Sequence, residues 1–197
     1  MALRQARLAF GAAILGLTTI TSTAPAFAQY PVVVTGGGYA RDCYMQVKSR
    51  KALPAKALET CDIAIKQEDL SQTNRAATYI NRGILHMREK NHDRARKDYE
   101  AALRIAPGMP EAKINLGAML YYVGRYDEAI AALNDGVKVE NEEARAAAHF
   151  NRALAYERIG DIDSAYADYK TALALRPGFE AAAKQLQRFA VVPAGAS

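Results

Sequence analysis

Three asparagines that recur at one place in a repeated pattern are the side chains best suited to bind a ligand. The pattern occurs as Tyr79-Ile-Asn-Arg-Gly83, Lys113-Ile-Asn-Leu-Gly117 and His149-Phe-Asn-Arg-Ala153. Its asparagines are Asn81, Asn115 and Asn151. A primary amide carries N–H donors and one acceptor oxygen. It can therefore hydrogen-bond both the N–H and the C=O of an extended peptide without recognising the peptide's side chains.

A second landmark shows which elements must position these amides. Ala95, Ala129 and Ala165 each follow the Gly or Ala of the pattern by twelve residues, and they lie 34 and 36 residues apart. A period in this range is typical of stacked helical hairpins, in which no unit buries its apolar face alone. The sequence therefore predicts an all-α solenoid of antiparallel helix hairpins. Such stacks bind other proteins through a concave surface.

Small and large residues alternate where the paired helices must cross closely. Gly83, Gly117 and Ala153 lie on the first helices, and Tyr99, Leu133 and Tyr169 fill the next layer on the second helices. A larger side chain at the small positions would separate the helices, at a cost of about 1–3 kcal/mol. The predicted helices span residues 41–48, 54–66, 72–90, 93–105, 110–123, 126–139, 143–159 and 162–175.

The segment 76–179 resembles a tetratricopeptide repeat array. The matching residues are Gly83, His86, Ala95, Tyr99, Ala102 and Pro107, then Leu116, Gly117, Leu120, Tyr126, Ala129 and Leu133, then Ala153, Tyr156, Ala165, Tyr169, Ala172 and Pro177. Lys113 and His149 stand where the family prefers a large apolar residue, Asn141 replaces the usual Pro, and two extra residues lengthen the junction near Ala144. The resemblance implies a superhelix of about three full repeats, with asparagines in this slot lining a ligand groove.

The chain from residue 29 onward is predicted to divide into four segments, one of which contains this array. Residues 29–39, with Gly36-Gly-Gly38, are predicted to form a flexible leader, and residues 40–75 a divergent N-terminal hairpin. The array with its C-terminal capping helix spans 76–190, because the helix at 179–189 has one apolar stripe and one polar face. Residues 191–197 are predicted to be a disordered tail.

Cys43 and Cys61 are equidistant from residue 52, where a helix turn is predicted. Residues equidistant from the turn of an antiparallel helix pair lie level with each other. In an oxidising compartment we expect a disulfide, which would close a loop of about 18 residues and stabilise the fold by about 3 kcal/mol. The alternative is two buried free thiols. Metal binding is disfavoured, since a two-cysteine site needs further ligands at suitable spacing.

The first 28 residues have the features of a secretory signal peptide. Arg4 and Arg7 precede an apolar stretch from Leu8 to Ile20, and Ala26-Phe27-Ala28 is a small-x-small cleavage site. We expect cleavage near Ala28 and a periplasmic or secreted protein; an uncleaved anchor is the weaker alternative. Removal of the two arginines lowers the formal charge from +5 to +3. No later stretch is long and apolar enough for stable membrane insertion, and no one-signed basic stripe indicates nucleic-acid binding.

Side chains one turn beyond the asparagines complete the predicted groove. The full predicted set is Asn81, Met87, Arg88, Asn115, Tyr121, Tyr122, Asn151 and Arg158. Tyr and Arg are favoured at binding hot spots, and Arg holds carboxylates bidentately, so an acidic peptide or a free C-terminus would suit this surface. The alternatives are that the asparagines only bond to neighbouring helices, that the tyrosines are packing residues, and that the arginines are solvated.

No arrangement of residues indicates catalysis. The chain has no nucleophile elbow, no phosphate-binding glycine loop and no His-Glu-x-x-His, and its three histidines are too widely spaced for a metal site. We therefore expect no enzymatic activity, no cofactor and no metal. The leading hypothesis is a periplasmic adaptor or scaffold that contacts another protein or peptide segment through its concave groove. The alternative is a self-associating structural repeat protein of the cell envelope.

Overall fold

The computed structural model describes residues 29–49 and 54–189. The predicted signal peptide, the turn around residue 52 and the predicted disordered tail lie outside the described residues. The helices within the described ranges are α1 Tyr39–Ser49, α2 Pro54–Gln67, α3 Gln72–Arg88, α4 His92–Ile105, α5 Pro110–Tyr122, α6 Tyr126–Gly136, α7 Glu142–Ile159, α8 Ile162–Leu175 and α9 Glu180–Gln187.

Consecutive helices pair into hairpins, and the hairpins stack in chain order. α1 packs on α2, α3 on α4, α5 on α6 and α7 on α8, while α9 packs on α8. The first helices also contact one another, α1 with α3, α3 with α5 and α5 with α7. The predicted all-α solenoid is confirmed, with three full repeats between a divergent hairpin and a terminal helix. The contacts among first helices bring the asparagine-bearing faces together.

The close crossings predicted at the small residues are present. A Cβ added to Gly83 would lie 2.5 Å from the Tyr99 ring, and one added to Gly117 would lie 2.5 Å from Leu133. Tyr99 and Leu133 are fully buried. Glycine is therefore required sterically at both positions, because the facing side chain occupies the space that a methyl group would need.

Helix α1 begins two residues earlier than the sequence predicts, at Tyr39. The Glu68 carboxylate accepts the backbone N–H groups of Tyr39 (2.6 Å) and Ala40 (3.0 Å), so it caps this helix from a distant part of the chain. Gly38 precedes the helix with φ +84°, and a side chain there would collide with Glu68. The cap was not predicted, because it depends on how the link after α2 folds back.

Helix α6 ends at Gly136, three residues before its predicted end. The N–H groups of Lys138 and Val139 bond to the carbonyls of Asp135 and Gly136, three residues back. This tight turn replaces the last helical turn and satisfies terminal carbonyls. The following helix begins at Glu142, where the Asn141 side chain accepts the N–H of Ala144 (2.9 Å).

The two family departures on the first helices have a common explanation. Lys113 pairs with Asp135 (2.6 Å), and the Nδ1 of His149 lies 2.7 Å from Asp168. Each polar residue therefore has an acidic partner on the second helix of its own hairpin. A polar contact takes the place of the apolar contact that the family pattern would supply.

The predicted pairing of Cys43 with Cys61 is confirmed in geometry. Their sulfur atoms lie 2.08 Å apart, at disulfide distance, and both residues are fully buried between α1 and α2. Within the described ranges, none of the helices combines the length and apolar character that crossing a bilayer requires.

Candidate functional site: a concave groove and its occupant

The concave groove is lined by α3, α5 and α7, which carry the three asparagines. Asn81, Asn115 and Asn151 are at most 1% exposed, so the amides are enclosed in the groove. The segment that covers Asn81 and Asn115 is residues 29–35, which we call the strap. The sequence predicts a flexible leader here, whereas the structure holds the strap along the groove. The reason is that groove amides satisfy its backbone hydrogen-bonding groups.

Each of two groove asparagines holds one strap residue by both of its backbone groups. Asn115 accepts the N–H of Tyr30 through Oδ1 (3.1 Å) and donates through Nδ2 to the carbonyl of Tyr30 (2.9 Å). Asn81 does the same with Val32, at 2.9 and 2.8 Å. The donor and acceptor use predicted for an extended peptide is therefore present at both positions. The peptide is the chain's own N-terminal segment.

A third asparagine, which the sequence analysis missed, continues the pattern. Asn74 accepts the N–H of Thr35 (3.3 Å) and donates to its carbonyl (2.9 Å). It lies seven residues before Asn81, about 10.5 Å along α3 at 1.5 Å per residue. Three extended residues from Val32 to Thr35 span about 10 Å. Because these two lengths agree, the strap runs antiparallel to α3. The seven-residue spacing from Asn81 is the signal that could have identified Asn74.

The strap side chains alternate between the groove and solvent. Val32 and Val34 are buried, whereas Val33 between them is 58% exposed. An alternation with a period of two is the property of an extended chain with one face packed. The groove thus packs against the side chains of Val32 and Val34, and it hydrogen-bonds the backbone of Tyr30, Val32 and Thr35.

At its N-terminal end the strap lies in an acidic environment. The Tyr30 hydroxyl donates to the Oδ1 of Asn141 (3.1 Å), the oxygen that also caps α7. Burial raises the pKa of the Tyr30 hydroxyl, and the nearby carboxylates of Glu143 and Glu111 raise it further. The family departure at Asn141 therefore has a role, since a proline could not accept these bonds.

The other predicted groove residues divide into two groups. Met87 is buried in the core, and Arg88 donates to the backbone carbonyl of Val47 on α1 (2.8 Å). Arg88 therefore joins two helices, and this geometry does not fit the predicted carboxylate anchor.

The remaining predicted contacts involve rings on or near the surface. Tyr121 packs at 5.5 Å from Tyr126, and the guanidinium of Arg158 lies 5.2 Å from the centre of the same Tyr126 ring. Tyr122 lies 4.6 Å from the ring of His92. The strap is hydrogen-bonded to four other side chains, those of Asn74, Asn81, Asn115 and Asn141.

A second polar cluster, also absent from the predictions, ties helices together beside the groove. Arg82 follows Asn81 by one residue, about 100° around the helix. It bonds to Asp98 on α4 through two nitrogens (2.9 and 2.6 Å) and to Asp62 on α2 (2.6 Å). Burial lowers the pKa of the Arg82 guanidinium, but the hydrogen bonds and charges of the two carboxylates outweigh it, and the net shift is upward.

The third repeat contains the same pair. Arg152 bonds to Asp168 at 2.7 and 2.9 Å, and His149 also contacts that carboxylate. Burial alone would raise the pKa of Asp168, but hydrogen bonds from Arg152 and His149 reverse the effect and lower it. Since every charge in these clusters has a partner, their role is to fasten hairpins. In the described part of the chain, no three metal-binding side chains of His, Cys, Asp or Glu converge.

Two tetratricopeptide-repeat models match the sequence, at residues 74–139 and 146–179, and together they cover just over half of its 197 residues. The chain belongs to the tetratricopeptide-repeat family. No curated protein has a significantly similar sequence.

Solved structures of similar shape are tetratricopeptide proteins as well. MamA from Desulfovibrio magneticus RS-1 superposes with a TM-score of 0.60 at 20% identity, over 76% of this chain and 82% of that one. The Arabidopsis OM64 domain gives 0.57 at 18%, over 61% and 98%. The first domain of Spaghetti (RPAP3), bound to the HSP90 peptide SRMEEVD, gives 0.55 at 19%, over 59% and 90%.

Proposed function

We propose that this protein is an exported adaptor or scaffold that binds an extended segment of another protein in its concave groove. The observation that carries the proposal is the pair of two-way hydrogen bonds from Asn81 and Asn115 to Val32 and Tyr30. These amides already bind a peptide backbone, and their hydrogen bonds to it use its N–H and C=O groups. A groove with this property accepts an extended segment from a second protein equally well.

Related solenoids support the same class of function. Spaghetti (RPAP3) has a repeat domain with an HSP90 peptide, and the second domain of human RPAP3 has been solved with the HSP70 peptide SGPTIEEVD. Both peptides end in acidic residues. In this chain Arg88 is engaged by α1, and Glu111 and Glu143 surround the end of the strap. The groove described here therefore favours an aliphatic extended segment over the acidic one that the sequence suggested.

Export is the second part of the proposal. It is supported by the signal-type pattern of the first 28 residues and by the two cysteines at disulfide distance. Disulfides persist in secreted and periplasmic proteins and are rare in the cytosol. Cell fractionation with N-terminal sequencing tests this directly. A mature chain that begins at Gln29 in the periplasm or medium is expected, and an intact N-terminus in the cytoplasm would contradict export.

The binding function is tested by selecting peptides against the chain that starts at Gln29. Peptides that bind should lose affinity by tenfold or more for the double variant Asn81→Ala, Asn115→Ala, because both backbone clamps are lost. Arg125→Ala is the matched control, since Arg125 is exposed and pairs only locally with Glu128. Selected peptides that bind the double variant and the control equally would place binding outside the groove.

The structural alternative, end-to-end self-association, is less well supported. Helix α9 packs on α8 with Ala182 fully buried and Phe179 nearly so, so the C-terminal end of the solenoid is covered. A covered end has no apolar face left for a further repeat. A molecular mass in solution that does not change with protein concentration is expected, and a concentration-dependent increase would favour the alternative.

A further inference from the structure

We infer that the strap is a built-in competitor for the groove, and that the external ligand is an extended segment with aliphatic side chains at alternate positions. The inference rests on the proposed peptide-binding function. It adds that the groove is occupied by the chain itself until a segment of the same class displaces residues 29–35.

The first step concerns the backbone. The strap backbone is held at Tyr30, Val32 and Thr35 by amides that bond to its N–H and C=O groups. Two side-chain hydroxyls add bonds of their own, from Thr35 to Asn74 (3.3 Å) and from Tyr30 to Asn141 (3.1 Å). Because every extended peptide carries N–H and C=O groups, the backbone bonds do not reserve the groove for the strap. An incoming segment can make the same backbone bonds in the same register.

The second step concerns the side chains, which set the ligand class. Val32 and Val34 are at most 8% exposed, although Val33 between them is mostly in solvent. The groove therefore has apolar positions two residues apart. A competing segment needs aliphatic residues at that spacing, and a charge at either position would be buried without a partner.

The third step is the way out. Gly36 and Gly38 have φ of +93° and +84°, and a Cβ on Gly36 or Gly37 would meet no atom within 4 Å. The chain is therefore unpacked and conformationally permissive just after Thr35. Beyond it, Glu68 caps α1 and the Cys43–Cys61 pair joins α1 to α2. The strap can rotate about these glycines while α1 stays in place.

The fourth step is the strength of the competition. A segment joined through three flexible residues has an effective concentration of about millimolar at its own site. An external peptide must overcome this local concentration, so its apparent affinity is its intrinsic affinity multiplied by the fraction of molecules in which the strap is open. The strap thus sets a threshold, so that weak or poorly matched segments do not enter.

The inference is tested with the chain from Gln29, which contains every described residue, and with strap-releasing variants. The probe is the peptide Gln-Tyr-Pro-Val-Val-Val-Thr with a C-terminal fluorophore, and its binding is measured by fluorescence anisotropy. Val32→Asp, Val34→Asp should release the strap and bind the probe at least tenfold more tightly than the unmodified chain. Val33→Asp is the matched control, because its side chain faces solvent, and it should behave as the unmodified chain does.

Two further arms identify the site and the chemistry. Adding Asn81→Ala and Asn115→Ala to the released variant should abolish probe binding, and a probe with Asp at its first and third valines should not bind. Val32→Pro is a second releasing variant, which removes the N–H that Asn81 accepts without adding a charge. Circular dichroism establishes that each variant keeps its helices.

Amide hydrogen exchange at Tyr30 and Val32 separates the two proposals. Slow exchange in the unmodified chain, lost in the released variant, is expected. Fast exchange in both the unmodified chain and the released variant, or equal probe binding by the two, would overturn self-occupancy. The proposed function would still stand if the selected peptides need Asn81 and Asn115 for binding. A protected strap with no probe binding to either released variant would overturn the ligand class.

Discussion

The first and third repeats both have a small residue and a tyrosine where their paired helices cross, but the contacts of the two tyrosines differ. Tyr99 in α4 packs against Gly83, whereas the corresponding residues of the third repeat are Tyr169 in α8 and Ala153. The Tyr169 hydroxyl donates to Glu157 (2.9 Å), while that of Tyr99 has no hydrogen-bond partner within the described residues. The first hairpin depends on close approach, and the third has a polar contact and room for a methyl group.

The middle repeat shows what happens to the Arg–Asp pair that the outer repeats share. Arg82 and Asp98 are separated by 16 residues, as are Arg152 and Asp168. The corresponding positions of the middle repeat are Leu116 and Ala132. Both partners are replaced together, so neither leaves an unpaired charge. The pair is therefore a unit, since replacing both members by apolar residues can be nearly neutral.

The largest effect is expected from breaking that unit. Asp168→Ala leaves the mostly buried Arg152 without its carboxylate and should lower the free energy of unfolding by about 2–3 kcal/mol. Adding Arg152→Leu, as in the middle repeat, should recover at least half of the loss. Urea denaturation followed by circular dichroism measures both. A double variant that is no more stable than Asp168→Ala would show that the pair does not behave as a unit.

The next effect concerns the close crossing. Gly83→Ala should destabilise the protein by about 1–3 kcal/mol, because the added methyl group meets the Tyr99 ring. The reverse change in the third repeat, Ala153→Gly, should cost about 1 kcal/mol through helix propensity alone. Equal thermal stability of Gly83→Ala and the unmodified protein would mean that Tyr99 moves aside without loss.

A smaller difference should separate the two tyrosines. Tyr169→Phe removes a hydrogen bond to Glu157 and should cost about 1 kcal/mol. Tyr99→Phe removes a buried hydroxyl that bonds to nothing in the described chain, so its unfolding free energy should be unchanged or higher. Chemical denaturation of both variants under one condition makes the comparison, and a larger loss for Tyr99→Phe would reverse it.

The smallest effect distinguishes the repeats by pH. Burial lowers the pKa of His86 in the first repeat, although Asp98 opposes it. The unfolded chain takes up that proton first, so stability is lost as pH falls through the ordinary histidine pKa of about 6.5. The lowered pKa of Asp168 in the third repeat stabilises the fold above its ordinary pKa of 3.8, and this is lost at lower pH.

Substitutions separate these two steps. His86→Gln should flatten the dependence of stability between about pH 7 and 5. Asp168→Asn should remove the loss below about pH 4. Melting temperatures measured across this range test both, and unchanged profiles would assign the pH dependence to other groups.

The repeat period and the small residues predicted the fold because stacking imposes them on every unit. Gly83 and Gly117 are needed wherever a large ring or Leu crosses closely, so they are visible in the sequence. Asn81 and Asn115 were identified for the same reason, since they recur in one slot. A packing requirement that every repeat shares is visible as a residue that recurs at the same position of the repeat.

Features that occur once could not be predicted in this way. Asn74, which bonds to Thr35, has no asparagine at the corresponding position of the other repeats. The cap that Glu68 provides for α1 depends on how the link between two hairpins folds. The segment that contains the strap is predicted to be a flexible leader because of Pro31 and the run Gly36-Gly-Gly38. Its packing is evident only in the structure, from the burial of Val32 and Val34 and from the bonds to Asn81 and Asn115.

The spacing of the strap contacts has a consequence for any solenoid built this way. Moving from Asn81 on α3 to Asn115 on α5 advances the bound chain by two residues, from Val32 to Tyr30. Each hairpin added in this register would therefore lengthen the footprint by a dipeptide. In such a protein the number of hairpins sets the length of extended peptide that binds. Peptides that are extended over fewer residues make fewer bonds and bind more weakly.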